Sequence, residues 1–273
     1  MDKANSIGSQ TAKDGFKNEA FVVAIFNDWK NEPLAGEWLK AMGYDLKLIE
    51  EVRAEKIKGQ FKADVQVVIL VQIKLQKLQD VQNIQVKLVS SKRGFNQTDK
   101  RTLESYDKLW NFPSDIYEIL QYFVGEKEPK IANPKDKRRM WFNEFSKEEQ
   151  DKILNFFKAN STLILSDILK GRGKFASEWF LVIQKIENEP IKWTLKPINE
   201  VLNFYNGEVF FTRYGNIKIG KVGIQRKGGD GGRESAKMLQ FKIDPTLVES
   251  IYYLKFNIIT KFFFFRRVCL NFL

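Results

Sequence analysis

Two β-rich segments, FKADVQVVILV over residues 61–71 and NIQVKLVS over 83–90, limit what this chain can fold into more than any other feature. β-branched side chains are stiff at χ1 and favour extended backbone. The first segment begins by alternating and then turns continuously apolar, the pattern of a strand running into a core. In the second, Ile84, Val86 and Leu88 alternate with Gln85 and Lys87, so one face is buried and the other carries polar groups. Helices are predicted around this pair. Phe21, Val22, Ile25, Phe26 and Trp29 share one helical face over 19–29, and a second helix is predicted at 34–42. Ser146 and Glu149 form a capping box that opens a helix ending near Asn160. Further strands are predicted at 162–168, 178–186, 208–213 and 217–225, the first two separated by the loop GRGKFAS. The combination is an α/β chain in which a central mixed β-sheet is flanked by helices.

Composition narrows the chemistry. The 273 residues contain no histidine, which excludes Ser-His-Asp hydrolysis, His-based acid–base catalysis, HNH-type nucleases and Cys/His zinc sites. What remains for hydrolysis is a hard cation such as Mg²⁺ held by carboxylate and amide oxygens, with Lys or Arg countering developing charge. A formal charge of +11 favours a polyanionic partner, nucleic acid first, although a basic surface also serves solubility alone. Cys269 is the single cysteine, so no internal disulfide framework exists and a reducing, cytoplasmic setting is expected. The N-terminal stretch has no apolar signal region, and Lys255, Lys261, Arg266 and Arg267 break up the apolar tail, so no membrane span is expected.

One constellation answers the chemical requirement. Asp64 lies in the first strand, and after twenty intervening residues Gln85 and Lys87 lie in the second. Side chains at i and i+2 share a face of a strand. If the two strands are neighbours, Asp64 meets both. The Asp64 carboxylate and the Gln85 side-chain oxygen would then ligate Mg²⁺, Lys87 would stand beside the attacking water or the phosphate, and Glu19 is a further candidate ligand. On spacing alone, a solvated strand edge carrying ordinary polar residues is the simpler reading, and only the lack of histidine and the positive charge bring the two level.

The stretch IQVKLVSSKRGFNQTDK over 84–100, with the preceding KADV, resembles the PD-(D/E)xK nucleases in the variant Asp-x20-Gln-x-Lys, and more narrowly the HinP-type type II restriction endonucleases. TAKDGFKNE, KDKRRM, EFSKEEQ, SDILKGRG and IQRKGGDGGRESAKMLQFKIDPT agree in the same order, so the resemblance extends over nearly all of residues 10–248. It implies a restriction-endonuclease-like core and Mg²⁺-dependent cleavage of double-stranded DNA. Asp64, Gln85 and Lys87 are then the metal-binding and catalytic residues. It further implies the palindrome GCGC, cut after the first G, while relatives of similar framework read other four-base sites such as CCGG. Related MspI-type enzymes carry Asn at the Gln position, and here Ala63 stands where relatives have Ser. A companion methyltransferase acting on the same site is implied, without direct contact. The protein is expected to be a monomer nicking each strand in turn, or a two-fold homodimer. A structure- or damage-specific repair nuclease, and a catalytically silent DNA-binding protein of the same fold, stay open as alternatives.

Several segments are candidates for DNA contact. Lys92 and Arg93 would approach phosphates, while Gln97 and Lys100 reach bases, with Asn96 a further DNA-contact candidate; Phe95 is either a wedge into the base stack or a core-anchoring aromatic. Arg226, Lys227, Asp230 and Arg233 lie in a glycine-rich stretch that either approaches DNA closely or forms a flexible basic hairpin. Arg138 and Arg139 either track the backbone or sit on a solvated face. The resemblance fades near Ser250. Residues 1–250 are therefore expected to form a single domain, with 251–273 an apolar and basic tail outside it.

Overall fold

Residues 18–59, 61–73, 76–228 and 234–251 are described by the computed structural model. Its centre is a five-stranded sheet of order β1-β2-β3-β5-β6. β1 (Ile49–Lys56), β2 (Val65–Ile73) and β3 (Gln76–Val89) form an antiparallel meander; β5 (Trp179–Gln184) joins β3 in parallel, and β6 (Lys192–Pro197) closes the sheet antiparallel. The sheet is therefore mixed, as expected. A second, wholly antiparallel sheet runs β4-β10-β9-β8-β7, built from β4 (Asn96–Arg101), β7 (Val209–Phe211), β8 (Ile217–Ile219), β9 (Val222–Arg226) and β10 (Leu239–Ile243).

The central sheet is covered on both faces. On one, Val65, Val67, Ile69, Ile84, Val86, Leu181 and Ile183 pack against α1 (helical over 18–27) and α2 (Pro33–Ala41). On the other, Val89, Phe180 and Val182 join a larger core with α3 (Leu103–Trp110), α4 (Ser114–Val124), α5 (Lys147–Leu165), α6 (Ile198–Tyr205) and the second sheet. β5 is consequently buried on both sides, which explains why Phe180 to Ile183 are all apolar.

The strand expected at 162–168 is not there. α5 continues through Leu165 and passes into one π-helical turn, Ser166–Lys170. The buried positions Ile153, Phe157, Ile164 and Ile168 recur at helical spacing. An extended chain would have turned alternate members of that set to solvent. The single strand expected over 217–225 is instead a hairpin, β8 and β9, folding back at Gly220. There φ is +52°, and a Cβ would lie 2.3 Å from the Tyr205 carbonyl oxygen. The capping box forms as expected: Ser146 Oγ accepts from the Glu149 N–H at 3.3 Å, and the Ser146 N–H donates to Glu149 Oε2 at 3.0 Å. No helix among the described residues is long and apolar enough to cross a membrane.

Candidate active site

Because β2 and β3 are neighbours with Val65 opposite Ile84, Asp64 falls at the mouth of β2 beside Gln85. Two backbone bonds fix this corner: the Asp64 N–H donates to the Ile84 carbonyl at 2.9 Å, and the Ile57 N–H to the Asp64 carbonyl at 3.0 Å. The Asp64 side chain folds over the strand end, where Oδ2 accepts the Val86 N–H at 2.7 Å. Gln85 and Lys87 share the face opposite Ile84 and Val86, and Ala63 is buried. Thus the strand pairing brings Asp64 next to Gln85 and Lys87.

Electrostatics at this corner are strained in one direction. Burial pushes the Asp64 carboxyl above its usual range, against the pull of Lys87, the Val86 N–H and Lys62, while Glu19 adds repulsion. A buried carboxylate in this condition lacks compensating positive charge. Gln85 is 2% exposed, and its Oε1 has no hydrogen-bond partner, an arrangement that costs roughly 1–3 kcal/mol if nothing else satisfies the atom. A carboxylate short of cationic charge and an orphaned amide oxygen are a donor set that fits a hard divalent cation. Glu19, on α1, is engaged by Lys56 at 2.8 Å, so its carboxylate is within electrostatic reach of Asp64 but is held by an ammonium. No cluster of three His, Cys, Asp or Glu occurs among the described residues.

Sequence reasoning passed over Lys62, although it lies two residues before Asp64, the strand spacing that should have drawn attention to it. Its side chain is 11% exposed, with Nζ 3.1 Å from Asp99 Oδ1 and 2.9 Å from the Thr98 carbonyl oxygen. Burial pushes this ammonium down to about 8, partly opposed by Asp99 and reinforced by Lys87.

The DNA-contact candidates distribute unevenly. Lys92 is exposed and faces Glu189 at 3.5 Å. Phe95 is 64% exposed, which rules out the core-anchoring reading; with Arg93, Lys218 and Lys221 it borders a cavity of about 540 Å³. Asn96, Gln97 and Lys100 lie on β4, with Gln97 Oε1 accepting from Gln240 Nε2 at 2.6 Å. Arg138 is exposed and forks onto Asp136 at 3.0 and 3.1 Å. Arg139, by contrast, is buried, its guanidinium 3.7 Å from the Trp141 ring centre, so it does not belong to a solvated face. Burial and the neighbouring Arg226 push it down to about 10. Arg226 is half-buried and donates from Nε to the Val124 carbonyl at 2.6 Å, and the Lys227 N–H donates to the Met238 carbonyl at 2.9 Å. Asp230 and Arg233 lie outside the described residues.

No curated protein sequence matches the chain. The structure is similar to the crystal structure of restriction endonuclease MspI in complex with its cognate DNA, with a TM-score of 0.56 at 14% identity over 82% of this chain and 87% of that one. The likeness carries the fold, a restriction-endonuclease-like core. The sequence itself matches the R.HinP1I restriction endonuclease family over residues 42–249, a stretch that contains Asp64, Gln85 and Lys87. With well over half of its length matched, the chain belongs to the R.HinP1I restriction endonuclease family, and it is a type II restriction endonuclease.

Proposed function

We propose that this site-specific DNA nuclease hydrolyses both strands of a short palindrome, GCGC cut after its first G, with Asp64 and Gln85 holding Mg²⁺ and Lys87 acting on the reacting phosphate. The observation that carries the reading is the pairing of β2 with β3, which leaves the Asp64 carboxylate beside Gln85, whose oxygen has no partner.

When bound, Mg²⁺ supplies polarisation of the scissile phosphate and a water of lowered pKa. The chain's own residues do the rest. The Val86 N–H fixes the rotamer of Asp64 and so the direction of its carboxylate. Gln85 offers a neutral oxygen where commoner sites of this type have Glu, so the pair carries one negative charge fewer and would hold a cation more weakly than two carboxylates. The Lys87 ammonium shares that face and stabilises charge on the equatorial phosphate oxygens as the bond to the leaving oxygen breaks. Guanine O6 and N7 are acceptors suited to Lys100, and cytosine N4 is a donor suited to Gln97 or Asn96. A methyltransferase protecting the same site in the host is the expected companion, and the cytoplasm the expected location.

Plasmid digestion with Mg²⁺, followed by sequencing of fragment ends, tests the proposal. Discrete fragments ending within GCGC are expected, and none when Mg²⁺ is chelated. Asp64→Asn and Lys87→Ala should each slow cleavage by at least about 10³-fold, with binding to the same duplex nearly unchanged. Cleavage of junction or lesion substrates alone would instead establish the repair reading.

A further inference from the structure

Two one-residue irregularities meet at Lys62, two residues before Asp64. On β4, Phe241 pairs with Asp99 but the next residue, Lys242, pairs with Gln97, so Thr98 is the extra residue of a β-bulge. At the end of α5, the π-helical turn Ser166–Lys170 inserts one residue into the helix. The two are joined directly, for Thr98 Oγ1 donates to the Ile168 carbonyl at 3.3 Å. Lys62 occupies the junction, with its ammonium on the Thr98 carbonyl and on Asp99, which also binds Arg101 Nε at 3.2 Å. Room for its stem exists only because residue 171 is glycine. Gly171 has φ +79°, and a Cβ there would lie 2.7 Å from Lys62 Cγ.

A bulge leaves a backbone carbonyl without its ladder partner and re-aims the strand beside it. The ammonium that satisfies this carbonyl belongs to the residue two positions before Asp64, on a short segment tied to β3 by the Asp64 N–H. A buried ion pair and a few backbone bonds thus form an unbroken path from β4 to Asp64. Packed elements of this kind switch between discrete arrangements rather than deforming smoothly. We propose that Lys62 is a positioning residue which, through Thr98 and Asp99, couples the DNA-reading strand β4 to the placement of Asp64. The inference rests on the reading that Asp64 holds the cation and that Gln97 and Lys100 face DNA.

The test uses the full-length protein, the sequence it is found to cut, and duplexes with one base pair altered. Wild type must cleave and Asp64→Asn must not; failure of that control refutes the active-site reading itself and is thereby distinguished from failure of the coupling. In Lys62→Met and, separately, Asp99→Asn, single-turnover cleavage of the cognate duplex at saturating protein should fall about 100-fold, the scale on which misplacing a catalytic group acts. Binding of the same duplex without metal should stay within about threefold of wild type. Cleavage of the altered duplexes should change little, so discrimination falls by at least about tenfold. The two substitutions combined should cost no more than either alone, as expected for one shared interaction. Wild-type rates in Asp99→Asn would overturn the proposal, including where Lys62→Met fails to fold by circular dichroism. Equal loss on cognate and altered duplexes would overturn it as well, because a merely structural pair slows both alike.

Discussion

At Asp64 and Gln85 the environment, more than residue identity, sets what the groups can hold. A carboxylate is ordinarily a solvated anion, yet this one is buried and pushed toward its protonated form, beside an amide oxygen that nothing satisfies. Such groups are retained at a cost to stability, which is the usual mark of a site rather than of packing. Gly171 sits at the same scale. Its positive φ and the closeness of Lys62 leave no room for a side chain, so Gly171→Ala should destabilise the fold by about 1–3 kcal/mol, read as a lower urea midpoint with unchanged slope. For Lys62 the sequence shows the residue and its two-residue spacing from Asp64, but not its partners, because Thr98 and Asp99 are more than thirty residues away and belong to a strand that has no apolar pattern.

Among the elements, those with strong periodicity were legible and the others were not. α1, α2, β2, β5 and the second half of β3 follow directly from helical spacing or from alternating or continuously apolar runs, whereas β3 begins at Gln76, ahead of the strand expected over 83–90. β4, NQTDKR, has no such signal; it is a strand because β10 pairs with it, a case of tertiary pairing overriding local preference. α5 is the converse, where the β-branched content of 162–168 reads as a strand but the spacing of Ile164 and Ile168 on from Phe157 keeps the chain helical. Its start is secured by local chemistry alone. Ser146→Ala removes the acceptor of the Glu149 N–H and should cost about 1 kcal/mol in thermal or chemical unfolding, with cleavage unaffected at temperatures where the fold persists.

For the whole molecule, the two-sheet arrangement sets the Asp64 corner of the central sheet beside the β4 edge of the second. A chain with a formal charge of +11 that binds duplex DNA should show affinity falling steeply as salt rises, linearly on logarithmic axes. Replacing Lys92 or Arg93 by Ala should reduce that slope by about one each if they contact phosphates, while leaving sequence preference intact. A chain ending at Ile251 should cleave as the full chain does if residues 1–250 form the working domain. An unchanged fragment pattern and melting temperature would bear that out.

What the sequence by itself determined is which chemistries are closed and which residues share a face. Without histidine, imidazole-based hydrolysis is excluded and carboxylate, amide and ammonium groups are what the chain can offer, and strand alternation put Gln85 and Lys87 on one face. These are properties of residue type and of near-neighbour geometry, which the chain carries locally. Only the tertiary structure decided that β3 pairs with β2 on one side and β5 on the other, that Arg139 goes inside while Phe95 stays out, and that β4 is strapped to the Asp64 corner through Lys62. Those outcomes depend on contacts between residues far apart in the chain, where burial, pairing and charge compensation over the whole fold outweigh what any short segment prefers.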